Sequence, residues 1–250
     1  MVIFSAVSAV IVYTWIGIRT SQKKRLRKWP YNRYGCWALG VVSMFLAFTL
    51  QMHGHSDFTM HMVVHLLLGM LAPLLFVLAA PVTLLLRFLP VTLARIATKF
   101  FKLRPVQFLT HPVVAAIVNF GGLWILYRTS LFEWMHMSTP LSILIHIHVF
   151  VAGFVFTSAM LYIDPVPHRS SFQLRAMVMV FGFTVHAVLA KLIYAESLSG
   201  VAAADARKGA ILMYYGGDIV DALLISVFCL FWYRNSVFSK EKIPSEGVRE

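Results

Sequence analysis

Acidic side chains are scarce in this chain. Ten Asp and Glu stand against 22 Lys and Arg, and charged residues of both signs make up only 13% of the sequence. An ordinary soluble domain carries about a quarter charged residues. An extended water-facing surface is therefore excluded, and no polar stretch is long enough to form a separate soluble domain. Cysteine is equally rare. Cys36 and Cys229 lie in separate apolar runs with no CxxC spacing, which argues against a disulfide or a thiolate metal site. A Gly-rich phosphate loop, an HExxH zinc motif and a GxSxG elbow are also missing. An enzyme is not expected.

What the chain has in abundance is apolar length, with 59% hydrophobic residues. Runs close to the roughly 20 residues that span a bilayer read as Val2 to Ile18, Cys36 to Met52, His61 to Leu86, Pro112 to Tyr127, Leu141 to Ile163, Gln173 to Tyr194 and Ala210 to Trp232. The expectation is an all-α integral membrane protein, a single polytopic bundle of seven transmembrane helices. The third run carries Pro73 and Pro81, which predict a kink, or an end near Ala80 followed by a short interfacial turn. No Lys or Arg precedes the first run and a basic cluster follows it, so an uncleaved helix fits better than a signal peptide.

The basic residues set the expected orientation. Arg19 to Arg33, Arg87 to Arg104, Arg169 with Arg175, and the C-terminal Arg and Lys all fall on one side, while only Arg128, Lys191, Arg207 and Lys208 fall on the other. The positive-inside rule then places the N-terminus outside and the C-terminus in the cytoplasm. The net charge of +12 is accounted for by cytoplasmic loops meeting anionic membrane lipid, with no nucleic acid needed. Between Arg87 and Arg104, Leu93, Ile96, Phe100 and Phe101 alternate with Arg95, Lys99 and Lys102 at helical spacing, predicting a helix along the inner surface.

Met-His-Met occurs at Met60-His61-Met62 and again at Met135-His136-Met137, with Met52-His53-Gly54-His55 just upstream of the first copy. Thioether and imidazole together suit Cu(I), and thioether survives where thiols are oxidised. The expected topology puts both copies on the extracytoplasmic side. His61 and His65 share one helical face about 6 Å apart along the axis, and Gly69 and Pro73 extend that stripe, where a small residue admits a neighbouring helix. Counted from the expected outer ends, His146 and His148 lie roughly 8 to 11 Å deep, His186 roughly 12 Å, and Asp218 with Asp221 roughly 10 to 15 Å. Ionisable groups at such depth face a bundle interior, where they bind, pair or relay protons. A hydrogen-bonded network that only holds helices together is the alternative for any one of them. His146 and His148 point roughly 200° apart on an ideal helix, so they cannot serve one mononuclear site. Glu133, Glu196 and Asp205 read as solvated loop carboxylates, and Lys191 as a partner for Asp218 or a snorkelling cation.

These residues carry a resemblance. His61-Met62-Val63-Val64-His65-Leu66-Leu67-Leu68, then Ala72-Pro73, then Ala80-Pro81-Val82-Thr83-Leu84-Leu85-Leu86-Arg87 resemble the signature of CtaG-type assembly factors of bacterial haem-copper cytochrome c oxidase. Asp164-Pro165-Val166-Pro167, the His186 region and Asp205 followed by Met213 and Gly216-Gly217-Asp218 continue it, from about Phe45 onward. The resemblance implies a multi-pass protein of the bacterial plasma membrane that matures the oxidase, acting at copper loading, with oxidase subunits as partners. By position it carries over His61, His65, Pro73, Pro81, Asp164, Pro165, Pro167, His186 and Asp218, and His146 and His148 loosely. His53, His55, Met60, Met62 and His136 rest on chemistry alone, as outer ligands collecting transient Cu(I) from an extracytoplasmic donor. The competing expectations are a small b-type cytochrome with haem between His65 and His186, a transporter, for which the inner halves of the helices supply little polarity, and a metal-free scaffold for oxidase subunits.

Overall fold

The computed structural model describes residues 2–53, 57–166, 169–198 and 200–240. Every regular element among them is helical, as expected of chain that must satisfy its backbone internally in lipid. The order is α1 Val2–Ser21, α2 Tyr31–His53, α3 Phe58–His65, a π-helical turn Leu66–Leu71, α4 Ala72–Ala79, α5 Pro81–Phe88, α6 Val91–Phe101, α7 Arg104–Leu109, α8 Pro112–Arg128, α9 Leu131–Met137, α10 Thr139–Leu161, α11 Phe172–Glu196 and α12 Ala203–Lys240. Six stretches are long and apolar enough to cross a membrane, or seven if α8 and α9, bent by 77°, count as one span.

The α3–α4 rod is the central element, packed by α2, α10 and α12. Its π-helical turn has a local cause. Pro73 has no N–H to give the Gly69 carbonyl, and the Ala72 N–H reaches back five residues to Leu67. Helix α10 crosses at this point. A Cβ on Gly153 would collide with the Gly69 carbonyl oxygen, so only glycine allows the approach. At Ala80 the backbone turns left-handed, with φ of 54°, and α5 starts afresh at Pro81. Both prolines therefore interrupt the third run, as their positions predict.

Carboxylates from distant segments cap both ends of this central piece. Asp205 at the start of α12 accepts from the Phe58 N–H (2.7 Å), the Thr59 N–H (3.2 Å) and the Thr59 hydroxyl (2.5 Å). Asp164 does the same for α5, accepting from the Val82 N–H (3.3 Å), the Thr83 N–H (2.7 Å) and the Thr83 hydroxyl (2.6 Å). Asp205 is thus a helix cap and not a solvated loop carboxylate: it answers the Phe58 N–H and shares the Thr59 N–H with the N-cap residue Asp57, 2.9 Å away. Burial pushes the Asp164 carboxyl up from its ordinary value, and the bonds from Thr83 and Val82 oppose that shift. Glu196 pairs with Arg128 at 2.6 Å, tying the end of α11 to the end of α8.

Chain alternation puts the ends of α2, α8 and α11 and the starts of α3, α10 and α12 at one end of the bundle. At the opposite end, the Tyr13 hydroxyl donates to the Ala79 carbonyl at 2.6 Å and accepts from the Trp29 indole at 3.1 Å, fastening α1 to the break at Ala80. Helix α6 buries none of its residues; Leu93, Ile96 and Phe100 stay exposed beside Arg95 and Lys99, the amphipathic pattern read from the sequence.

Candidate metal-handling histidine layer

Helix α3 supplies the first two imidazoles, one turn apart and both buried. They face different neighbours. The His61 Nε2 lies 3.0 Å from the Tyr127 hydroxyl of α8. The His61 ring centre is 5.9 Å from that of His146 on α10 and 6.3 Å from that of His136 on α9. His65, one turn deeper, has its ring centre 5.9 Å from that of His186 on α11.

The ring nitrogens are in unequal states. The His146 Nδ1 sits 2.7 Å from the Ser142 carbonyl and the His136 Nδ1 2.8 Å from the Phe132 carbonyl. A carbonyl only accepts, so each Nδ1 carries the proton and each Nε2 presents a lone pair, the tautomer arrangement that readies histidine for a metal. Among the described residues, four buried imidazole nitrogens have no hydrogen-bond partner: both of His65, and the Nε2 atoms of His146 and His186. Leaving such a group unsatisfied costs about 1–3 kcal/mol.

His65 and His186 line a small, partly open cavity of about 30 Å³, bounded also by His148, Asn119, Thr157 and Asp221. That is the share of liquid volume of about one water. A Cβ on Gly217 would stand 2.7 Å from the His186 ring, so this glycine of α12 makes room for the imidazole. Among the described residues, no three His, Cys, Asp or Glu side chains converge as a preformed metal cluster.

The residues singled out from sequence separate accordingly. His61, His65, His146 and His186 come together in one layer. His146 and His148 part as their helical phase requires: His146 meets His61, while the largely exposed His148 borders the cavity. Asp218 is a correction. It lies on the exposed side of α12, and Asp221, only 7% exposed, takes the place at the cavity. Met62 is fully buried in an apolar cluster with Phe58, Met135 and Met213, which makes it packing, and Met60 is half-buried in the first turn of α3. His55 and the His53 side chain fall outside the described residues. Lys191 holds its ammonium over the Tyr214 ring, 5.2 Å from the centroid. Sequence reasoning missed Tyr127 and set His136 too far from the layer.

These observations define a multi-pass helical membrane protein with a buried histidine layer near one end of its bundle. Within that class, the chain belongs to the cytochrome c oxidase caa3 assembly factor family (Caa3_CtaG), whose model matches residues 11–235. It is similar to uncharacterized proteins of Mycobacterium bovis and Mycobacterium tuberculosis, each 34% identical over 164 residues covering 59% of this chain and 24% of theirs. A Mycobacterium leprae protein, also uncharacterized, is 30% identical over 174 residues, 64% of this chain and 26% of its own. The chain spans about a quarter of the length of the curated relatives it matches. No solved structure matches it significantly.

Proposed function

We propose that this oxidase assembly factor handles Cu(I) on the extracytoplasmic side of the bacterial plasma membrane, receiving it from a donor there and releasing it to a haem-copper oxidase subunit. The observation that carries this reading is the set of buried imidazole nitrogens without partners. Protein interiors rarely leave such groups unanswered, and the lone-pair nitrogen that each of these imidazoles offers is one a cation can answer. Cargo transfer also favours a site that is not a closed cage, because an ion held by four ligands exchanges slowly with a partner.

A b-type haem between His65 and His186 is the less favoured reading. A cavity of about 30 Å³ would have to open several-fold before a macrocycle fitted. The absence of a Soret band in the purified protein is the expected result.

The central test replaces His61 and His65 by Ala. Oxidase purified from cells carrying this variant is expected to lack copper, while the variant itself persists in the membrane at the normal level. Normal oxidase copper in such cells would remove the proposal.

A further inference from the structure

His61 and His65 are neighbours on one helical face, yet the structure pairs them with different partners. Resting on the copper reading above, we infer that the layer is two separate Cu(I) stations in series: an outer pair, His61 with His146, and an inner pair, His65 with His186.

Three observations converge on this division. First, both pairs have ring centres 5.9 Å apart. With a metal–nitrogen bond of about 2.0 Å and the ring centre about 1.2 Å behind the nitrogen, two imidazoles on opposite sides of one ion stand about 6.4 Å apart, so both pairs come within about half an ångström of sharing an ion. Second, no third strong donor closes on either pair among the described residues. Zn(II) asks for four ligands, whereas d¹⁰ Cu(I) is content with two opposed nitrogens, so a pair selects the cuprous ion. Third, the pairs differ in surroundings. The outer pair adjoins the exposed His136 near the bundle end, and the inner pair lines a small cavity that Asp221 also borders.

That difference gives the series a direction. A lone cation is costly in a low-dielectric interior unless an opposite charge accompanies it. The Asp221 carboxyl makes the inner station electrically neutral when it releases its proton to water as Cu⁺ binds, and no acidic side chain joins the outer pair among the described residues. The handover spans about one helical turn, roughly 6 Å. Bonds from copper to His61 and His146 break, bonds to His65 and His186 form, and the oxidation state does not change. The Tyr127 hydroxyl, bonded to the His61 Nε2, is the latch at the outer station. It must leave before copper enters, and it returns when copper has moved inward.

The test counts copper retained by the purified full-length protein in detergent after loading under reducing conditions against the Cu(I) chelator bathocuproine disulfonate. Two ions per wild-type chain are expected. His146→Ala and His61→Ala should each retain one ion, His186→Ala and His65→Ala should each retain one, and His146→Ala with His186→Ala should retain none. Asp221→Asn should lose the inner ion only, matching His186→Ala. A general folding defect would not sort the variants into these pairs, and X-ray absorption should report two-coordinate Cu(I) in every single variant. One ion in the wild type, or loss of all copper in every single variant, overturns the two-station arrangement and leaves the copper reading standing. No copper in the wild type overturns both.

Discussion

A histidine buried with neither ring nitrogen satisfied, as His65 is, loses about 1–3 kcal/mol for each lost bond. The fold carries that cost where Gly217 opens space for the facing His186 ring. Gly217→Ala should therefore displace the imidazole and lower copper retention to about half, with helical content by circular dichroism unchanged. Tyr127→Phe removes the hydroxyl bonded to the His61 Nε2; it should lower stability by about 1 kcal/mol in detergent melts while copper loads faster, because the latch is gone. At this scale the sequence was partly legible. That His61, His65, His146 and His186 share one level followed from counting residues along their helices, whereas the choice of Asp221 over Asp218 required the phase of α12. That phase is written in Ala206, Ala210, Met213, Gly217, Asp221, Leu224 and Phe228, small or apolar residues three or four apart that are buried together, and Asp218 lies about 100° off the stripe. Tyr127 and His136 carried no such signal, because their nearness to His61 depends on the bend between α8 and α9.

Among the elements, the central rod is the one whose shape matters most. A proline at 73 predicts an interruption, but the compensating π turn depends on which carbonyl loses its donor and on the helix that crosses there. Gly153→Ala would push α10 off this crossing, and a loss of several kcal/mol, read as a large fall in melting temperature, is expected because the obstacle is backbone and cannot swing aside. The two carboxylate caps make a milder case. Asp205→Ala frees the Phe58 N–H and leaves the Thr59 N–H to Asp57 alone, which should cost about 1 kcal/mol, or roughly 2–4 °C in Tm per kcal/mol. Its effect on copper should exceed that of Asp164→Ala, since Asp205 seats the helix that bears His61 and His65 while Asp164 seats α5. Neither cap could be read from the sequence: each bonds across a gap of more than 80 residues that only the folded chain closes.

For the molecule as a whole, hydropathy and proline placement sufficed for an all-helical, multi-pass architecture, and the count of six or seven turns on α8, whose 17 residues are continued by a bent helix. Most of the basic residues and α6 collect at the end of the bundle opposite the histidine layer. If that end faces the cytoplasm, a membrane-impermeant thiol reagent applied to intact cells should label Met137→Cys, whose parent side chain is 74% exposed, and should leave Lys102→Cys untouched until the membrane is opened. Labelling in the reverse order would place the histidine layer on the wrong side for an extracytoplasmic donor.

The clamp between Asp205 and the start of α3 joins residues about 147 positions apart. During synthesis, His61 and His65 reach the bilayer long before Asp205, His146 or His186 leave the ribosome. A nascent chain therefore displays the two α3 imidazoles without either of their partners, and the layer closes only as α10 and then α11 are inserted. If the layer carries Cu(I) as proposed, the order of translation itself keeps an unfinished molecule from taking up an ion it has no means to hand on.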